Sequence, residues 1–135
     1  MPFPLRVVSV ERSLFEGDVD FMIANGGDGE LGVLAHHAPL MTVLKPGPLT
    51  IRVTGGEEQL LFVGGGFLEV LPDRVTVLAD VAEHADEISV ERAEEARRRA
   101  QEKLAGTLTT AEETEFQNAL AIAEARLRLA RLRRG

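Results

Sequence analysis

Glycine and proline are distributed unevenly in this chain, and the break limits what it can fold into. Up to Glu87 the sequence holds all six prolines and eleven of its thirteen glycines. From Ile88 onward there is no proline and a single glycine, Gly106, before the terminal Gly135. Short segments cut by glycine and proline are strand-and-turn material, whereas an uninterrupted stretch with apolar residues three and four apart is helical. Charge changes at the same place: five Lys/Arg against fourteen Asp/Glu before it, ten against eight after it. Residues 1–87 are therefore expected to form an acidic β domain and residues 88–135 a basic helical one. Such a pair points to one part that docks and one that can move, not to a self-contained enzyme.

The first part reads as eight or more short strands: Leu5–Val10, Val19–Ala24, Glu30–Leu34, Leu40–Leu44, Leu49–Val53, Gln59–Val63, Phe67–Leu71 and Val75–Ala79. Asn25-Gly26-Gly27-Asp28-Gly29, Thr54-Gly55-Gly56-Glu57 and Pro72-Asp73-Arg74 supply the turns, because glycine accepts positive φ and proline pre-sets the first corner. This spacing predicts an antiparallel sandwich or a flattened barrel.

The second part predicts two antiparallel helices. Ser89 is a suitable N-cap, and acids early with arginines late suit the helix dipole, with Glu94–Arg98 and Glu95–Arg99 at i,i+4 spacing. The buried stripe of the first helix is Val90, Ala93, Ala96 or the Arg97 stem, Ala100 and Leu104; Gly106 then stops it. Thr110-Ala111-Glu112-Glu113 reads as a capping box opening the second helix, whose stripe is Phe116, Leu120, Ala123, Leu127 and Ala130. Alanine buries little, about 0.8 kcal/mol per methylene-sized group, so the hairpin is expected to be weakly held.

Composition narrows the classes further. With no cysteine, disulfides and thiolate metal sites are excluded. No apolar run approaches the roughly 20 residues that span a bilayer, and MPFPLRVVSV has neither a signal-peptide core nor an Arg/Ser-rich transit pattern. Any membrane association is thus expected to be indirect. A net charge of −7 argues against nucleic acid as ligand.

The chemistry-bearing residues do not assemble into catalytic machinery. His36-His37 invites a metal, but the third histidine, His84, is distant, so a loop pair with a surface or packing role is the better reading. A cupin-like metalloenzyme would need an H-x-H ligand array, which His36-His37 does not provide. Neither Gly64-Gly65-Gly66 nor the glycines at 26–29 is followed by the Lys-Ser/Thr or helix start that a phosphate loop needs. No G-x-S-x-G surrounds Ser9, Ser13 or Ser89. The chain is read as a non-enzyme. The basic end, with Arg126, Arg128, Arg131, Arg133 and Arg134, is either a solvated helix face or a docking face for an acidic partner.

Two stretches carry a resemblance. Residues 29–40, GELGVLAHHAPL, are similar to the GELG-[IV]-L-x-x-H-x-PL signature of the epsilon subunits of F-type ATP synthases. Residues 65–79, GGFLEVLPDRVTVLA, resemble that family's GGFLEV-x-P-[DN]-x-VT-[IV]-LA segment. The likeness spans essentially the whole chain. It implies a ten-stranded flattened β-sandwich followed by a helical hairpin. It implies a non-catalytic central-stalk subunit bound to gamma and the c-ring, coupling proton-driven rotation to ATP synthesis. Such a subunit would be peripheral, on the cytoplasmic face of a bacterial inner or plasma membrane.

By the same resemblance Glu30, Leu31 and His37 would face the c-ring. The hairpin would extend to inhibit ATP hydrolysis, with Arg126, Arg128, Arg131, Arg133 and Arg134 meeting the alpha and beta subunits. Some members of the family bind a regulatory ATP through [IL]-D-x-x-R-A. Here Ile88-Ser89-Val90-Glu91-Arg92-Ala93 departs from it only at Ser89. Glu83, Ile88, Arg92, Ala93, Arg99 and Arg126 fall at positions of that site, and Ile122 stands where it has an arginine. No cofactor is required, and ATP is an optional ligand. The competing reading is an autonomous ATP-sensing module.

Overall fold

The computed structural model describes residues 1–134, and side chains through residue 132. Its contacts divide the chain into two compact units, Met1–His84 and Ala85–Gly135.

The first unit contains seven strands: β1 (Phe3–Ser9), β2 (Ser13–Gly26), β3 (Gly29–Leu34), β4 (Leu40–Val53), β5 (Glu58–Leu71), β6 (Arg74–Ala79) and β7 (Ala82–His84). They run in the order β1-β6-β5-β4-β2-β3, and an additional β1–β2 ladder closes five of them into a ring. β3 extends outward from β2, and β7 from β5. The expected ten-stranded antiparallel sandwich is thus corrected to seven strands, and the β1–β6 ladder is parallel, running from Leu5↔Val75 to Ser9↔Ala79.

The lower count has a physical origin. β2, β4 and β5 are 14 residues each, and the last two absorb pairs of segments that the sequence separates. Pro46 and Gly64 look like breaks but pair with each other inside the β4–β5 ladder. β5 then changes neighbours along its length, meeting β7 at Leu61–Val63 and β6 from Gly66 onward. Gly66 makes that handover possible. Its φ is +136°, and a Cβ there would collide with the Leu78 carbonyl, so only glycine lets the strand bend this closely.

Inward-facing residues alternate along β1 and β6, while β5 is buried continuously from Leu61 to Gly66; together they fill the ring. Leu5, Val7, Val19, Met22, Ile51, Leu61, Leu68 and Val77 are all at most 2% exposed. Among the described residues no polar or charged residue is fully buried. Each such aliphatic side chain contributes about 1.5–3 kcal/mol by leaving water.

The second unit opens with a 3-10 turn, Ala85–Glu87, followed by α1 (Val90–Leu104) and α2 (Thr110–Arg134). Ser89 caps α1 as expected: its hydroxyl accepts from the Arg92 N–H at 3.2 Å. The capping box of α2 sits one residue earlier than the sequence suggests. Thr109 Oγ1 accepts from Glu112 N–H at 3.2 Å, and Glu112 Oε1 accepts from Thr109 N–H at 3.1 Å. Thr109 and Thr110 both precede an acid at the right spacing, so sequence could not choose between them. Gly106 ends α1 without a left-handed turn; Ala105 caps the helix in the right-handed region.

Buried positions of the hairpin are mostly alanines, Ala93, Ala100, Ala123, Ala125 and Ala130, with Leu127 and Leu129. The expected α2 stripe accounts for Ala123, Leu127 and Ala130, but Ala125 and Leu129 lie on another face of the helix and are buried too. Phe116 and Leu120 are only half-buried.

Candidate functional site

Cross-strand register places an apolar row on the outer face of the ring. Val43 of β4 is opposite Phe67 of β5, Phe67 is opposite Leu78 of β6, and Leu78 is opposite Val8 of β1. Residues paired in this way share a face and touch laterally. Val43, Phe67 and Leu78 are 55%, 49% and 51% exposed, whereas their strand neighbours Leu44, Leu68 and Val77 are buried. Met41, two residues from Val43 and therefore on the same face, is also exposed. The next row along these strands is largely polar: Glu69, Thr76, Arg6 and Glu16. An apolar strip rimmed by polar groups is the composition of a protein-docking surface.

Sequence reasoning missed this row. Its signal was available: Val7-Val8, Phe67-Leu68 and Val77-Leu78 place apolar residues at both parities of a strand. A strand facing the core on one side and water on the other alternates, so apolar residues on both sides signal that the outer side carries an apolar row as well.

The proposed ring contacts do not form one cluster. Glu30 is exposed opposite Asn25, and Leu31 half-buried opposite Ala24, at the start of β3. Asn25 braces the adjacent chain, its Nδ2 donating to the Pro46 carbonyl at 3.1 Å. His37 lies beyond the other end of the strand. At about 3.3 Å per residue, Glu30 and Leu34 are already about 13 Å apart. His37 Nδ1–H donates to the Ala38 carbonyl at 2.8 Å, and its backbone N–H to Leu34 at 3.2 Å. His36 adopts a left-handed φ of 67° and places Nε2 3.4 Å from the Met1 sulfur.

The basic end of α2 also divides. Arg128 and Arg131 are exposed, while Arg126 is half-buried with its Nε out of solvent. The side chains of Arg133 and Arg134 lie outside the described residues.

Of the positions suggested for ATP, two line the same groove. Arg92 and Arg99 line one groove between α1 and α2, together with Glu95, Phe116 and three alanines. Ile88 and Ala93 are buried, and Glu83 is on β7, in the other unit. Arg126 is seven residues past Ala119 of the groove, about 10 Å along the helix axis. Among the described residues no helix is long and apolar enough to cross a membrane.

Comparison with known proteins agrees with this architecture. Residues 2–85 match the family model described as ATP synthase, delta/epsilon chain, beta-sandwich domain, and residues 86–131 match the delta/epsilon long alpha-helix domain. The ATP synthase epsilon chain of Dehalococcoides mccartyi is 47% identical over 135 residues, covering 96% of this chain and 93% of its own. That of Herpetosiphon aurantiacus is 43% identical over 134 residues, covering 99% and 98%. A chain in the Euglena gracilis mitochondrial ATP synthase structure, described as OSCP/F1/c-ring, superposes with a TM-score of 0.78 at 26% identity, over 92% of this chain and 78% of that one.

Proposed function

The chain belongs to the ATP synthase delta/epsilon family, and on that premise we propose that it is a non-catalytic subunit of the central stalk. In this reading the row Val43–Phe67–Leu78–Val8 seats on the gamma subunit, and that exposed row carries the proposal. Glu30 and Leu31 at the start of β3, and His37 just beyond its end, face the c-ring as two separate points. Rotation of the ring is thereby coupled to ATP synthesis in the catalytic head. Membrane association is through the complex, on the cytoplasmic side.

The hairpin is the regulatory part of this reading. Exposed Arg128 and Arg131 are ready to meet acidic surfaces of the alpha and beta subunits, with Arg133 and Arg134 beyond them. Arg126, half-buried, would join them only once the hairpin opens. The chain would then inhibit ATP hydrolysis by exchanging its own alanine contacts for contacts with the head.

Co-purification tests the docking face. The intact chain should retain gamma, and Phe67→Glu should weaken capture by at least about thirtyfold, the loss of one strong hot spot, without lowering the unfolding temperature. Undiminished capture by the variant rules out this face; a monomeric wild-type chain rules out the stalk. Termination after Ala105 should leave capture intact and raise ATP hydrolysis by the assembled complex. Unchanged hydrolysis would remove the inhibitory role.

A further inference from the structure

The groove between α1 and α2 has some of what a nucleotide needs. Arg92 and Arg99 offer two guanidiniums, and Phe116 with three alanines makes an apolar floor. Its volume of about 340 Å³ is at the lower end of the range for ligand pockets. Size therefore does not decide the matter, and charge and hydrogen bonding do.

We infer that Glu95, inside this groove, and Ser89, at the cap of α1 outside its lining, leave the hairpin without a fit for ATP, so that it is held by its own side chains and does not report nucleotide. Glu95 lines the groove between the two arginines, three residues after Arg92 and four before Arg99. Those spacings make it a neighbour of both on one helix face. Phosphates placed to meet both guanidiniums therefore also meet the Glu95 carboxylate. The groove carries one net positive charge against a triphosphate that carries several negative ones. No further cation offsets this at the next turns of α2: Ile122 follows Ala119, and Arg126 is two turns away.

Ser89 removes the other requirement. Its hydroxyl is already engaged in accepting from the Arg92 N–H at 3.2 Å, which caps α1. A carboxylate at this position could cap the helix with one oxygen and offer the second to a ligand; a hydroxyl has no second oxygen. The residues present therefore do not fit a bound ATP. This conclusion stands on the hairpin alone and is independent of whether the chain binds gamma.

Calorimetry on the full chain tests it. Wild type should give no saturable heat with ATP up to about 1 mM. The double variant Ser89→Asp, Glu95→Ala should bind ATP saturably and at least about tenfold more tightly, as expected when the carboxylate between the two arginines is removed and an acceptor is supplied at the α1 cap, outside the groove lining. Glu95→Gln keeps size and surface position, so it guards against misfolding of the double variant, and it should show a smaller gain. Saturable wild-type binding below about 1 mM overturns the inference. Silence of both variants, with helical circular dichroism intact, overturns the assignment to these two residues.

Discussion

The ring and the hairpin are both compact, yet they are built from different side chains. The ring buries Leu5, Met22, Leu49, Ile51, Leu61 and Leu68 completely or nearly so; the hairpin buries mainly alanine. Leaving water is worth about 1.5–3 kcal/mol for a large aliphatic side chain and about 0.8 for a methyl-sized group. The ring is therefore hard to open, while the hairpin's contacts can be exchanged for others of similar worth. The proposed division of labour, with one part gripping and the other regulating, needs this inequality.

The sharpest way to break the comparison is to damage the ring. Leu68→Ala should destabilise the chain by about 2–5 kcal/mol, the cost of a cavity in a closed core, measured by chemical denaturation. A loss below 1 kcal/mol would mean that the core is not the rigid half. One step smaller, Ser89→Ala should cost about 1 kcal/mol by uncapping α1. Hydrogen exchange should show the loss at the amides of Arg92 and Ala93 and leave the β4–β5 ladder protected. If both regions lost protection equally, the two units would share one cooperative transition.

Smaller effects sharpen the contrast at the surface. Arg52 Nη2 is 3.3 Å from Glu58 Oε2, with both side chains about half exposed, and its guanidinium lies 5.6 Å from the centre of the Phe21 ring. Arg52→Ala should cost no more than about 1 kcal/mol, and a double-mutant cycle with Glu58 should shrink in high salt. The smallest effect is at Glu112, whose carboxyl is held below the ordinary Glu range by hydrogen bonds from the Thr109 backbone and side chain. Because its folded pKa is depressed, its contribution is complete above the unfolded value and is lost as pH falls through the folded one. Helical circular dichroism should decline slightly on acidification below the usual carboxylate range, and Glu112→Gln should flatten that slope.

Local signals were legible in the sequence wherever one turn or one cap decides the structure. The Ser89 cap, the Thr54–Glu57 and Pro72–Asp73 turns and the positions of most strand segments all follow from near-neighbour chemistry. Features set by distant partners were not legible. Pro46 looks like a stop, but its place opposite Gly64 keeps β4 and β5 continuous. The parallel β1–β6 pairing joins residues about 70 positions apart, beyond the reach of any periodicity. On the outer apolar row, the sequence marks Phe67 and Leu78 as strand residues, but only the cross-strand register shows that they share a face.

Closure of the ring has a mechanical corollary. In an open sheet, a strand can slip past its neighbour at the cost of one ladder. Here β1 is tied to both β2 and β6, so slippage anywhere must shift registers around the whole circuit. Force applied at the β2–β3 turn therefore reaches the opposite wall as a displacement of the whole body, with little lost to internal shear. In the proposed stalk, torque would pass through the ring much as through a solid washer.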